Sequence, residues 1–166
     1  PPPPPPPPPQ FNAEARIRDC VSCLVGSEMC IRDRHEALCI LQEEGLENAW
    51  DRHEKNHQAL KAGLEAMGIG FVVKEGDRLP QLNAVWIPEG VDDAAVRKQL
   101  LNDFNLEIGA GLGALAGKVW RIGLMGHASC AENVIFCLSS LEAVLGSMQA
   151  PIHKGKALDA AMAVYA

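Results

Sequence analysis

Leu46, Trp50, His53, His57, Leu60, Leu64 and Met67 recur at alternating steps of four and three, and the run stops at Gly68. That spacing predicts a long helix with one continuous packing stripe, closed by a glycine just past its last turn. A shorter helix precedes it in HEALCILQEEG, with Leu38 and Leu41 or Ile40 turned inward and Gly45 as its stop. Asp92 is a good N-cap for a third helix through Phe104. There Val91 and Val96 stand where a hydrophobic staple forms, and Val96, Leu100 and Phe104 mark the buried side. In SCAE, Ser129 and Glu132 have the spacing of a capping box. The helix it opens carries Val134, Leu138, Leu141, Leu145 and Met148 on one face.

Between these helices the period shortens. Phe71 to Lys74 and Leu82 to Ile87 read as strands, split by a loop containing Gly76, Asp77 and Pro80. Asn105 to Ile108 reads as a third strand and KVWRIGL, Lys118 to Leu124, as a fourth. Closely spaced strands with helices gathered around them predict an α+β fold, a small mainly antiparallel sheet with helices on one face. The other sheet face is left to a partner. In the last strand, alternation places Trp120, Ile122 and Leu124 under the helices, and Val119, Arg121 and Gly123 on the uncovered side.

Composition narrows the picture. Of 166 residues, 48% are apolar and 22% charged, which suits one globular domain with a real core. The net charge of −6, with no basic cluster, argues against a nucleic-acid partner or an anionic membrane surface. No apolar run approaches the roughly 18 residues of a membrane span, so a soluble, intracellular chain is expected.

Residues 1–34 stand apart. Pro1 to Pro9 can only form a polyproline II rod. In DCVSCLVGSEMCIRDR, Cys20, Cys23 and Cys30 invite a zinc or redox reading, but Leu24 to Asp33 resembles a translated transposase adapter of the kind used to prepare sequencing libraries. Residues 1–34 are therefore expected to be a disordered, adapter-like artefact. The natural segment begins at His35, its domain runs over 35–150, and 151–166 is a tail able to add a weak terminal helix. Cys39, Cys130 and Cys137 have no paired spacing, which fits a reducing compartment, with Cys137 an ordinary buried thiol.

Three places could carry chemistry. RHEKNH contains His-Glu-x-x-His, which puts His53 and His57 on one helical face as two zinc ligands would be. Both histidines also lie in the packing stripe, and the longer zinc-protease pattern would need Gly and His where Leu60 and Gly63 stand. Structural histidines, and no metal, are the expectation. The loop GAGLGALAG resembles a dinucleotide fingerprint through Gly109, Gly111 and Ala114, but a strand follows it instead of the helix N-terminus that would face a pyrophosphate. It is either a flexible turn or a loop whose backbone closely approaches a ligand. Arg121, on the uncovered sheet face, can hold a carboxylate through two parallel hydrogen bonds, or can be a surface or structurally paired arginine.

HEALCILQEEGLENAWDRH, LKAGLEAMGI, RLPQLNAVWIPEGVD and above all LEIGAGLGALAGKVWRIGLMG resemble the C-terminal small domain of class V aminotransferases, most closely the alanine–glyoxylate and serine–pyruvate group. The resemblance runs from about His35 to about Met148 and does not include the tail. It implies the C-terminal domain of a homodimeric fold-type I enzyme dependent on pyridoxal phosphate, moving the amino group of alanine or serine to glyoxylate and giving glycine. The arginine of the family's R-I-G motif, here Arg121, would bind the substrate carboxylate, with Gly111, Leu112 and Gly113 bordering the same site. The Schiff-base lysine and the carboxylate partner of the cofactor nitrogen belong to the family's large domain, upstream of the matched residues. Lys118 is not in that motif and reads as a solvated strand-end lysine. The implication is a fragment, inactive alone, with no catalytic or cofactor-binding residue of its own. Its partners would be amino-acid and keto-acid substrates, the missing large domain and a second copy. Cytoplasm, peroxisome and mitochondrion stay open, and the terminal VYA is no Ser-Lys-Leu address. The alternative is a non-catalytic α+β module that binds a partner chain through its bare sheet face.

Overall fold

The computed structural model describes residues 28–166, with side chains from residue 31 onward. The polyproline and adapter-like readings fall mainly outside the described residues, as do Cys20, Cys23 and the side chain of Cys30. The chain forms two units, one ending at Leu46 and the other spanning Glu47–Ala166.

Helix α1, Glu28–Glu44, belongs to the first unit and begins seven residues before His35, within the adapter-like stretch. Gly45 closes it with φ 85° and a hydrogen bond from its N–H to the Leu41 carbonyl. Leu38, expected inward, is 56% exposed, and of its two alternative companions Ile40 is equally exposed while Leu41 is half-buried.

Helix α2, Leu46–Ala66, lies in the second unit from Glu47 onward and buries Ala49, His53, Asn56, His57, Ala59, Leu60, Gly63 and Leu64. The expected stripe holds from His53 onward but fails at its start, where Leu46 and Trp50 are exposed. A strict spacing of seven drifts around a straight helix by about 20° per heptad, so three heptads turn the first members out of the core.

The sheet has three strands, β1 Leu82–Trp86, β2 Gly109–Ala110 and β3 Val119–Gly123, in the order β1-β3-β2 and antiparallel throughout. The strand expected at Phe71 to Lys74 reduces to a single bridge from Phe71 to Val85, followed by a 3-10 turn at Glu75–Asp77. The strand expected at Asn105 to Ile108 starts four residues late. Asn105 takes the left-handed conformation (φ 52°) that ends helix α3, Asp93–Phe104, and the N–H groups of Asn105 and Leu106 are spent on carbonyls of its last turn. Asp92 does cap α3, accepting the Ala95 N–H at 2.6 Å, and Val96 and Leu100 are fully buried.

Helix α4, Ala131–Ser147, starts one residue later than a capping box requires. Cys130 stands at the N-cap and no side chain caps it. Ser129 is buried instead, its hydroxyl accepting from Asn56 Nδ2 at 3.2 Å, while Glu132 falls at the second helical position. Of the residues expected to face inward on α4, Val134, Leu138, Leu141 and Leu145 are at 1% exposure or less, while Met148 falls at the C-cap, just past the helix, and is half-buried against the core.

The tail folds into α5, Ala157–Tyr165, and packs firmly on α4: Ala157 and Ala161 are completely buried. Room for it comes from Gly63, where a Cβ would lie 2.4 Å from a Leu138 methyl and 3.1 Å from the Ala157 carbonyl. Tyr165 Oη donates to Asn56 Oδ1 at 2.7 Å, fastening the end of the chain to α2. The result is one core under one face of the sheet, centred on Trp120, Leu60, Leu64, Leu100 and Leu138.

Candidate functional site

Alternation along β3 sets the site. Trp120 and Ile122 point into the core, and the buried Trp120 indole N–H is satisfied by Asp93 Oδ1 at 2.9 Å. Arg97 grips the same carboxylate at 2.8 and 3.1 Å. The Arg97 hydrogen bond, helped by Trp120, holds the Asp93 carboxyl below its ordinary range.

Arg121 therefore stands on the opposite side, half-buried. Its strand is the central one, paired with Ala84 of β1 and with Gly109 of β2. The guanidinium Nε donates to the Ala110 carbonyl at 2.7 Å. No carboxylate among the described residues pairs with it, and its two terminal nitrogens carry no hydrogen bond to those residues. Gly109 leaves the space: a Cβ there would sit 3.3 Å from both Nε and Nη2. The rest of the face is formed by Leu82, Ala84 and Trp86 of β1 with Gly123 and Val119 of β3, but Val119, expected uncovered, is only 2% exposed because Gly111 of the glycine loop packs against its methyl group. Leu82 and Trp86 are 42% and 43% exposed. One cation in an apolar field, with its outer edge free, is suited to a single planar anion.

The glycine loop is a tight turn. Gly111 is buried, and a Cβ on it would lie 2.1 Å from the Leu115 carbonyl oxygen and 2.8 Å from a Val119 methyl. Its N–H bonds to the Val119 carbonyl at 2.9 Å. Leu112 and Gly113 project into solvent, with Gly113 opening a short 3-10 turn at φ 56°. The residues that touch Arg121 are thus Gly109 and Ala110, two positions earlier than the Gly111 to Gly113 segment singled out from the sequence. Only the strand register brings them there, and a periodicity does not disclose register.

The two histidines act as ties. His53 Nδ1–H donates to the Ala49 carbonyl at 2.6 Å, and its Nε2 accepts the Gly126 N–H at 3.1 Å, so neither nitrogen offers a free lone pair. His57 donates from Nδ1 to Asn83 Oδ1 at 2.6 Å and meets Phe71 edge-on. Cys137 is buried, which pushes its thiol up to about 12. No group of three or more potential metal ligands occurs among the described residues.

A cofactor aldehyde needs a lysine in a desolvated pocket. None of the described lysines is buried, Lys118 is exposed at the start of β3, and the half-buried Lys61 is paired with Glu75. These residues do not fit the anchoring of such a cofactor. No described helix is long and apolar enough to cross a membrane.

Comparison with known proteins identifies the frame. A scan against family models gives no match. Over 130 residues the chain is 45% identical to (S)-ureidoglycine–glyoxylate transaminase of Bacillus subtilis, spanning 78% of this chain and 31% of that protein. It is 39% identical over 111 residues to alanine–glyoxylate aminotransferase of Mus musculus, spanning 66% of this chain and 26% of that protein. The crystal structure of ureidoglycine–glyoxylate aminotransferase from Bacillus subtilis superimposes with a TM-score of 0.74 at 46% identity, covering 76% of this chain and 33% of that one. The fold is that of the C-terminal domain of an aminotransferase. These homologues and structural neighbours are class V aminotransferases, dependent on pyridoxal phosphate as a family, and the chain spans a quarter to a third of the length of the relatives it matches.

Proposed function

We propose that this segment is the C-terminal domain of an aminotransferase that passes the amino group of alanine or serine to glyoxylate, and that Arg121 binds the carboxylate of donor and acceptor in turn. The observation that carries the reading is the guanidinium on the uncovered sheet face, its Nε tied to the Ala110 carbonyl and its outer edge free. The relatives are named for glyoxylate as acceptor, a small acid whose recognition needs one cation and little else. Bound pyridoxal phosphate supplies the electron sink for amino transfer. Its anchoring lysine and the partner of its ring nitrogen come, on this reading, from a large domain outside the matched third, in a homodimer.

The contribution of this domain is positional. Arg121 fixes the acid group at one end, so the reacting carbon is presented in one orientation, and the apolar surround of Leu82, Ala84 and Val119 strengthens the pairing by keeping water away. Gly111, Leu112 and Gly113 form the rim beyond β2.

In the complete enzyme, Arg121→Ala should raise KM for both amino donor and keto acceptor by about 10- to 100-fold, the worth of a charge-assisted pair. Wild-type KM values in that variant would refute the assignment. A partner-binding module without catalysis is separated by the same protein: it would show no transaminase activity with pyridoxal phosphate supplied.

A further inference from the structure

The His-Glu-x-x-His helix is the one sequence feature that carboxylate binding leaves unused, and its first histidine touches the site's far edge. Strand β3 ends at Gly123, Leu124 dips into the core, and the chain turns at Gly126–Ala128. Both backbone groups of Gly126 are held from α2. His53 Nε2 accepts its N–H at 3.1 Å, and Arg52 Nη1 donates to its carbonyl at 2.9 Å and to the Ser129 carbonyl at 2.8 Å. His53 is 8% exposed and is itself fixed by the Ala49 carbonyl. Met125, between the strand and this turn, is 59% exposed, and its methyl group lies back over Gly123, where a Cβ would be only 3.2 Å from it. Gly123 shares the uncovered face with Arg121, two residues and roughly 7 Å along the strand.

We propose that Arg52 and His53 are positioning residues that latch Gly126 and so hold the Met125 side chain as the wall beside Arg121, setting how tightly the site takes a small carboxylic acid. The proposal rests on the reading of Arg121 as the carboxylate partner. Two neighbouring residues on one rigid helix hold the N–H and the carbonyl of Gly126, and so fix the successive peptide groups on either side of it, which a helix needing only to bury its stripe has no reason to do. The latch also explains the tautomer: an Nδ1–H and a bare Nε2 are what the Ala49 carbonyl and the Gly126 N–H require.

The test uses the complete aminotransferase carrying this segment. His53→Leu should raise KM for the keto acid, and the inhibition constant of acetate as a simple carboxylate, by about fivefold, the worth of one hydrogen bond, with kcat changed less than about twofold. His53→Gln, which keeps an acceptor near Gly126, should recover most of that loss. Val144→Ala, buried about 20 Å along α4, should lower the melting temperature and leave both constants alone. If His53→Leu does not fold, Met125→Ala carries the test, since this exposed residue should raise both constants at unchanged melting temperature. Wild-type constants in the folded His53→Leu protein, or in Met125→Ala, overturn the latch. A silent Arg121→Ala variant would instead overturn the carboxylate reading, so the two failures are told apart.

Discussion

Gly111 and Gly113 lie two residues apart in the same loop, yet the structure asks opposite things of them. An alanine at 111 would put its Cβ 2.1 Å from the Leu115 carbonyl oxygen and 2.7 Å from its carbon, both backbone atoms. No rotamer relieves that, so the turn must move by about 1 Å, and overpacking of this kind costs about 1–3 kcal/mol. The shift also strains the bonds from the Gly111 N–H to Val119 and from the Lys118 N–H to Leu115, for about 1 kcal/mol more. At 113 nothing lies within 4 Å, and the only penalty is that of a side chain at φ 56°, about 1 kcal/mol. For a domain of this size about 4 °C of melting temperature accompanies each kcal/mol, so Gly111→Ala should lose about 12 °C and Gly113→Ala about 4 °C. Calorimetry of the purified chain measures both. Equal losses, or a larger one at 113, would show that the loop is a flexible turn and that the close approach at Gly111 is not real.

Two further outcomes follow from the polar contacts around the core. The Asp93 carboxyl titrates below its ordinary 3.8 because Arg97 and Trp120 favour the charged form, so its stabilisation is complete above 3.8 and disappears as pH falls through the lower folded value. Asp93→Asn should therefore cost about 0.5 kcal/mol at pH 7, the value of a helical ion pair, and the gap to wild type should close in melts taken below pH 3.8. Tyr165→Phe should cost about 1–2 kcal/mol in urea denaturation by leaving the buried Asn56 Oδ1 without its donor, and an unchanged midpoint would detach α5 from the fold's stability.

The parts of the fold that the sequence disclosed are those decided locally. The Asp92 cap, the buried faces of α3 and α4 and the side of the sheet on which Arg121 stands each follow from one element's own period or end chemistry. The parts it hid depend on pairing between elements. Asn105 and Leu106 look like the start of a strand, but the helix before them claims their N–H groups. Ser129 and Glu132 have the capping spacing, but Asn56 of α2 draws the serine hydroxyl inward. The contact of Gly109 and Ala110 with Arg121 exists only in one register of β2 against β3. Trp50 has the right spacing for the core and still faces out, a consequence of helical pitch that reading residues in steps of four and three does not display.

The bond from Arg121 Nε to the Ala110 carbonyl has a thermodynamic corollary. A free arginine side chain gives up about 2 kcal/mol of rotamer entropy when it is immobilised on a ligand. Here the central strand and its neighbour have already stilled much of that motion during folding, whether or not an acid is present. An incoming anion then meets a fork whose prongs are aimed beforehand, and a larger share of the attraction emerges as affinity.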